Sequence, residues 1–206
     1  MILKISQRVR NKVRGVLLAH GPKRIKRSLW NAEFARGRWD NLAQTHGDCL
    51  YQPLERYVNG GSILDLGCGS GNTGAELSAN AYRDYTGVDI SDVAIEAAKK
   101  RAQENGRSEK NRYIQWDISS YAPTQLFDVI LFRDSIYYVA GQKLKGMLDR
   151  YSKCLNPGGV FIVRLWSGRG SYMGIVDFVE GNFAVVEKTV SGPSETVVLI
   201  FRQVGA

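Results

Sequence analysis

A glycine-rich turn follows the first clear strand of this chain, and it constrains the fold more than any other feature. Residues 62–74 read SILDLGCGSGNTG, in which an apolar run containing Asp65 leads into Gly67, Gly69 and Gly71. Glycines at this density after a strand let the backbone approach a ligand closely and adopt positive φ angles that side chains disfavour. The pattern therefore predicts a strand over residues 62–66 that is followed by a ligand-binding loop.

Beyond residue 60 the chain alternates short β-branched runs with helical stretches, which is typical of a parallel sheet covered by helices. Between the predicted caps Ser91 and Gly106, one such helix has its apolar face at Val93, Ile95, Ala98 and Ala102. Six strands are predicted besides the first, at residues 85–90, 112–116, 127–132, 159–166, 183–190 and 196–203.

The last two predicted strands are separated only by SGPSE, which favours an antiparallel hairpin at the end of the chain. We therefore expect an α/β fold: a Rossmann-like, seven-stranded, mostly parallel sheet with helices on both faces and an antiparallel C-terminal hairpin. The 206 residues, with 44% hydrophobic content, suffice for one substantial core and an appendage.

The appendage is predicted at the N-terminus, where the first 60 residues contain no convincing strand. We expect residues 1–60 to form a basic helical arm or cap and residues 61–206 to form the ligand-binding domain. Apolar residues recur at helical spacing near the start, opposite a basic face: Ile2, Ile5, Val9, Val13, Val16 and Leu17.

The positive charge of the chain is concentrated in this arm. The net charge is +8, but residues 1–38 hold eleven of the 28 lysines and arginines against one acid, Glu33, a balance of +10. The remainder therefore carries 8 − 10 = −2. Because the main domain is not basic, we expect no DNA partner, and RNA binding is disfavoured.

No apolar run approaches the roughly 18 residues that span a bilayer, so a cytoplasmic location is expected. Attachment to the inner surface of the membrane is left open. Three scattered cysteines, Cys49, Cys68 and Cys154, and two histidines indicate neither a disulfide framework nor a zinc site. We expect no bound metal.

The carboxylate of Asp65 distinguishes between two kinds of ligand. The segment GSGNTG matches the G-x-G-x-x-G pattern of dinucleotide loops, which seat an anionic pyrophosphate on backbone N–H groups. A carboxylate two residues before the first glycine is an unfavourable neighbour for that anion. It favours a ligand that carries positive charge.

At this point LDLGCGSG resembles the first motif of the class I S-adenosylmethionine-dependent methyltransferases, an apolar strand, an acid and G-x-G-x-G. The resemblance covers roughly residues 60–166. It implies that S-adenosyl-L-methionine is the cofactor. It also implies the cofactor-binding residues, which are Asp65, Gly67, Gly69, Gly71, Asp89, Ile90, Asp117, Ile118 and Arg133.

Within this set the family places an acid on the ribose hydroxyls, here Asp89, although Asp89 could equally cap the following helix. Asp117 holds the position near the adenine amino group, with Trp116 or Ile118 beside the ring, or else it starts a turn. Arg133 follows the fourth strand, where the family lines the methionine end of the cofactor.

The acceptor end is predicted from fewer residues. Asp134, as base or acceptor-orienting acid, and His46, in the arm, are the candidate catalytic groups. Tyr137 and Tyr138 are candidates to hydrogen-bond a sugar or amine, since DSIYYV resembles the corresponding segment of the nodulation-factor N-methyltransferases. Arg164 and Trp166 either line the acceptor pocket or only pack.

We therefore expect methyl transfer to an oxygen or nitrogen atom of a small molecule, a saccharide or related metabolite. A cofactor-binding module without catalysis and an RNA methyltransferase that uses the basic arm are the alternatives; a nicotinamide enzyme is a more distant one. The arm itself has three open roles: a lid over the site, peripheral membrane contact through residues 1–20, or RNA binding. The oligomeric state is not predicted.

Overall fold

The structure is a computed structural model, which describes residues 7–39, 45, 47–168, 172–192 and 196–204. It contains seven strands, β1 Ser62–Leu66, β2 Asp84–Asp89, β3 Asn111–Gln115, β4 Phe127–Arg133, β5 Leu155–Trp166, β6 Ala184–Ser191 and β7 Thr196–Arg202. Seven α-helices accompany them, α1 Gln7–His20, α2 Lys23–Ala35, α3 Tyr51–Val58, α4 Asn72–Glu76, α5 Asp92–Glu104, α6 Gly141–Ser152 and α7 Tyr172–Asn182.

All seven strands form one sheet in the order β3-β2-β1-β4-β5-β7-β6. Neighbours from β3 to β5 pair in parallel, and β7 pairs antiparallel with both β5 and β6. The fold class predicted from the sequence is confirmed, including the C-terminal hairpin. The strand order reverses between β1 and β4, and in open α/β sheets ligands bind at the carboxyl ends of the strands at such a point.

The sheet is buried on both faces, which explains why its central strands are continuous apolar runs rather than alternating ones. Every residue of β1 is buried. On one face Phe132, Phe161 and Phe201 pack with α6 and α7, and the rings of Phe161 and Phe201 stack with centroids 5.1 Å apart. On the other face α3 and α5 contribute Leu54 and Ile95 to the second core cluster.

Helix α5 begins where the cap signal predicts. The Ser91 hydroxyl accepts a hydrogen bond from the Ala94 backbone N–H over 3.1 Å. The predicted apolar face is wrong at one position: Val93 is 38% exposed, and Ala94 is buried in its place. Consecutive residues of a helix lie about 100° apart around its axis. The spacing of small residues such as alanine does not define which of two neighbouring positions is buried.

The N-terminal helices α1 and α2 pack on each other, and α2 also packs on α5, beside the carboxyl ends of the strands. The described part of residues 1–60 contains only helices and turns, and the boundary at residue 60 stays a prediction. Of the predicted apolar stripe on α1, Ile2 and Ile5 lie outside the described residues. Within the described residues, no helix has both the length and the apolar character that crossing a membrane requires.

Candidate functional site

The glycine loop leaves the end of β1 in conformations that require glycine. Gly67 has a φ of +86°, and a Cβ there would lie 2.4 Å from Cβ of Ser135. Gly69 and Gly71 also have positive φ, and Gly71 is the N-terminal cap residue of α4. The loop therefore keeps an open face of backbone at the carboxyl end of β1, as the sequence predicts for the three glycines.

Asp65 lies beneath this loop and is fully buried. The Tyr85 hydroxyl donates a short hydrogen bond to Oδ2, whereas Oδ1 has no hydrogen-bond donor among the described residues. Burial raises the pKa of Asp65 to about 6. The residue lines a cavity together with Gly67 and Gly69.

Asp89, at the end of β2, is 8% exposed and tied to the loop. The backbone N–H of Gly69 donates to Oδ2 over 3.0 Å, and that of Ser91 donates to Oδ1 over 2.8 Å. Burial raises the pKa of Asp89 to about 6. Since Ser91 is the cap of α5, Asp89 is not needed for that role. Asp89 and the adjacent Ile90 line a second, larger cavity.

Asp117 follows β3 and lines the same larger cavity, as does Ile118. Oδ1 of Asp117 accepts from the Ser119 backbone N–H over 2.9 Å, which is the alternative turn role considered from the sequence. The other carboxylate oxygen lies 3.7 Å from Nζ of Lys26. Of the two candidates for packing beside a ring, Ile118 lines the cavity and Trp116 is 49% exposed on the surface.

The two cavities adjoin each other. Both are lined by five shared residues: Phe34, Trp39, Gly67, Arg133 and Asp134. The larger cavity holds the acids that follow β2 and β3, and the smaller one holds Asp65, at the end of β1. The site thus runs across the carboxyl ends of β3, β2, β1 and β4, where the sequence analysis places it.

Arg133 and Asp134 stand at the junction of the two cavities. Arg133 donates to the Tyr51 hydroxyl over 2.8 Å and to Asp48 over 3.1 Å. Asp134 has a φ of +52°, uncommon for a residue with a side chain, and strain of this kind clusters at functional sites. Burial raises the pKa of Asp134, and a short ion pair joins it to Arg164.

The sequence leaves open whether Arg164 lines the acceptor pocket or only packs. In the structure Arg164 lines the smaller cavity beside Arg133, its partner in the pairing of β4 and β5. The two guanidinium groups are bridged by Asp48, which lies 3.1 Å from Arg133 Nη2 and 3.0 Å from Arg164 Nε. Burial acts to raise the pKa of Asp48, but the two arginines outweigh it, and the pKa is lowered. Sequence reasoning missed Asp48 because it lies in a loop without a recognisable spacing.

Around this pair lies a second group that the sequence analysis missed. Glu76, in α4, accepts hydrogen bonds from the Thr45 hydroxyl over 2.7 Å and from the Tyr51 hydroxyl over 2.8 Å. Thr73 accepts from Arg133 over 3.3 Å. The only available signal was that Thr73 and Glu76 directly follow the glycine loop. His46, a predicted catalytic group, lies outside the described residues.

Helix α2 covers the site. The Phe34 ring is 3.5 Å from the position that a Cβ on Gly69 would occupy, and Trp30 meets the Tyr138 ring edge-on with centroids 4.6 Å apart. The helix is held by Asn31, which accepts from the Ser91 hydroxyl over 2.8 Å and donates to Asp92. Three roles were left open for the arm, and a lid over the site is the one with which the contacts of α2 agree.

Comparison with known proteins places this arrangement in a family. The family model described as a methyltransferase domain matches residues 63–159. The trans-aconitate 2-methyltransferase of Acidovorax sp. strain JS42 is 36% identical over 104 residues, which are 50% of this chain and 37% of that protein. The mRNA cap guanine-N(7) methyltransferase of Schizosaccharomyces pombe is 31% identical over 109 residues, covering 48% of this chain and 30% of that protein. The matches thus span only 37% and 30% of the lengths of these two curated relatives.

Solved structures match over more of the chain. The N-methyltransferase NodS from Bradyrhizobium japonicum WM9 superposes with a TM-score of 0.62 at 18% identity, covering 84% of this chain and 98% of that one. The glycopeptide N-methyltransferase MtfA gives a TM-score of 0.65 at 16% identity, covering 78% and 88% of the two chains. At these identities the likeness establishes the shared fold.

Proposed function

This chain belongs, through residues 63–159, to the class I S-adenosylmethionine-dependent methyltransferases, and we propose that it methylates an oxygen or nitrogen atom of a small saccharide-like molecule. The observation that carries the proposal is the buried, unpaired carboxylate oxygen of Asp65 under a glycine loop. In a protein interior such an oxygen is costly unless a ligand donates to it.

The described residues fit S-adenosyl-L-methionine. Asp65 Oδ1 is placed to accept from the α-ammonium, and Asp89 retains lone pairs for the ribose hydroxyls beyond its two backbone bonds. Asp117 and Ile118 line the part of the larger cavity suited to the adenine, with a polar and an apolar contact. When bound, the cofactor supplies a methyl group activated by an adjacent sulfonium. These residue roles extend the predictions from the sequence.

The junction of the cavities is where an acceptor has to be positioned. Asp134 lines both cavities, and burial raises the pKa of its carboxylate above the usual value, which strengthens it as a proton acceptor. The Arg164 ion pair orients that carboxylate. In the proposed mechanism Asp134 accepts a hydrogen bond, and for a protonated acceptor the proton, from the attacking atom. Phe34 and Trp39 exclude water.

A saccharide acceptor is supported by the polar groups on this side of the site and by likeness. The Tyr137 hydroxyl lies 3.3 Å from Asp134 Oδ1, which adds a hydrogen-bonding group beside the proposed base. Two neighbours in fold carry the names N-methyltransferase NodS and glycopeptide N-methyltransferase. Hydroxyl- and amine-bearing sugars suit this combination of carboxylate, guanidinium and phenol groups.

The test is turnover of radiolabelled S-adenosyl-L-methionine with a panel of hydroxy and amino sugars. We expect methylated product, and we expect Asp134→Asn to reduce turnover by about 100-fold or more while the cofactor still binds. Asp177→Asn, at an exposed acid on α7, is the matched control and should leave turnover unchanged.

Three outcomes would contradict the proposal. Saturable cofactor binding without turnover on any acceptor would indicate a non-catalytic module. Methylation of RNA alone would indicate the RNA enzyme, and binding of NAD without S-adenosyl-L-methionine would reject the cofactor. Full activity of the Asp134 variant would remove Asp134 from the mechanism while leaving the reaction in place.

A further inference from the structure

Helices α1 and α2 expose large apolar side chains on their outer side. Val13 is 52% exposed, Val16 is 55% exposed, and Ile25 is 41% exposed. Val13 and Val16 lie three residues apart on α1 and therefore neighbour each other on one face of the helix. We refer to Val13 and Val16 as the outer apolar face; Ile25, on α2, is a further exposed apolar residue of the same segment.

The opposite side of α1 is the one that packs onto the protein. Leu18 is 3% exposed and lines the larger cavity. The Arg14 guanidinium lies over the Trp30 ring, 5.7 Å from its centroid, and 3.3 Å from the Glu33 carboxylate. Of the apolar stripe predicted from the sequence, Val13 and Val16 therefore lie away from the packing face, and Leu17 is half-buried.

The surroundings of this face are strongly cationic. Residues 1–38 hold eleven lysines and arginines and a single acid. That acid, Glu33, is 5% exposed and paired with Arg14 and Arg38, so its charge is neutralised inside the arm. Lys23 and Arg24, directly before Ile25, are exposed. The outer apolar face thus lies on a segment whose uncompensated charge is positive.

We propose that the outer apolar face binds an anionic lipid bilayer, with α1 lying in the plane of the interface. Apolar side chains on one side of a helix enter the acyl boundary, while lysines and arginines meet anionic headgroups, and each contribution alone gives weak binding. This segment provides both contributions: its positive charge complements the anionic headgroups, and its exposed valines can enter the acyl boundary.

The same positive charge would attract RNA, but the remaining features favour the bilayer. Binding to single-stranded RNA gains much of its affinity from bases stacked on exposed aromatic rings. The aromatic residues among positions 1–40, which are Trp30, Phe34 and Trp39, instead line the cavities. Exposed valines add nothing to phosphate contacts, whereas a bilayer buries them. The inference is independent of the proposed acceptor.

The experiment measures co-sedimentation of the full chain with vesicles of phosphatidylglycerol and phosphatidylcholine in equal parts, and with phosphatidylcholine alone. We expect binding to the anionic vesicles that weakens with added salt. Replacing Val13 and Val16 together by serine should weaken it by about tenfold or more. Arg24→Glu should weaken it by about fivefold or more.

The matched control is serine at Val186 and Val190, which are 46% and 57% exposed on β6, at the far edge of the sheet. This pair should bind vesicles like the unmodified protein. Thermal unfolding of both double variants shows that the fold is retained. Equal binding by the Val13/Val16 variant, equal binding to neutral vesicles, or binding to polyuridylate but not to vesicles would each overturn the proposal.

Discussion

The replacement of Asp65 by asparagine is the sharpest test of the cofactor site, because it preserves size and shape while it removes the charge and turns one acceptor oxygen into an NH2 donor. In the proposed complex, Oδ1 of Asp65, unpaired in the free protein, accepts from the cofactor ammonium. Hydrogen bonds to charged groups contribute about 1.5–3 kcal/mol. We therefore expect Asp65→Asn to weaken cofactor binding by about 10- to 150-fold.

The raised pKa of Asp65 adds a second, independent signature. Its pKa is about 6 in the folded protein against a usual value of 3.8, because burial disfavours the charged form. Between these two values the folded state binds more protons than the unfolded state, so stability falls as pH rises through this window. The difference corresponds to about 3 kcal/mol at neutral pH. The asparagine variant should lose this part of the pH dependence, while Asp89, also shifted to about 6, retains its own.

Two measurements check this reasoning. Titration calorimetry at pH 7 gives the affinities of the two proteins, and repeating it below pH 6 should weaken binding to the unmodified protein, since its carboxylate becomes protonated. Urea unfolding across the same range gives the stability slope. Asp177→Asn controls for a general effect of removing an acid. Unchanged affinity of Asp65→Asn at pH 7 would refute the assignment of Asp65 to the cofactor ammonium.

Two further variants examine the loop and the helix that covers it. Gly67→Ala should destabilise the protein by about 1–3 kcal/mol and weaken cofactor binding, because the added Cβ would meet Ser135 and the φ of residue 67 is positive. Denaturant unfolding measures the loss of stability. Gly146→Ala is the control, since its Cβ would meet nothing within 4 Å and should not destabilise the protein. Phe34→Ala should weaken cofactor binding several-fold with little loss of stability, because the ring covers Gly69; calorimetry showing full affinity would contradict a covering role for α2.

Much of the fold is readable from local pattern, because each strand and helix of the sheet is specified over short distances. Strand β1 is found at the predicted residues 62–66, and the cap at Ser91 lies where its side chain predicts. The predicted apolar faces of the helices were less accurate: Val93 is exposed in α5, and Val13 and Val16 are exposed on α1. Helical spacing shows that one side is apolar, but not what that side contacts.

The candidate site, like the fold, could be predicted from the sequence only in part. Asp65, Gly67, Asp89 and Asp117 each lie at or just beyond the carboxyl end of a strand of a parallel sheet, so their convergence at one edge was already implied by the order of the motifs along the chain. Their individual contacts were not implied by the sequence. The Tyr85 hydroxyl that holds Asp65 comes from the neighbouring strand and carries no motif.

By itself, then, the sequence determined the sheet, the glycine loop and the acidic ends of successive strands, because these depend on residues close together in the chain. Only the tertiary structure decided that Asp48 bridges Arg133 and Arg164, since 116 positions separate Asp48 from Arg164 and strand pairing alone brings the two arginines side by side. It also decided which side of α1 packs over the site. That choice depends on the surface the helix meets, and Leu18 and Arg14 match that surface better than the valines do.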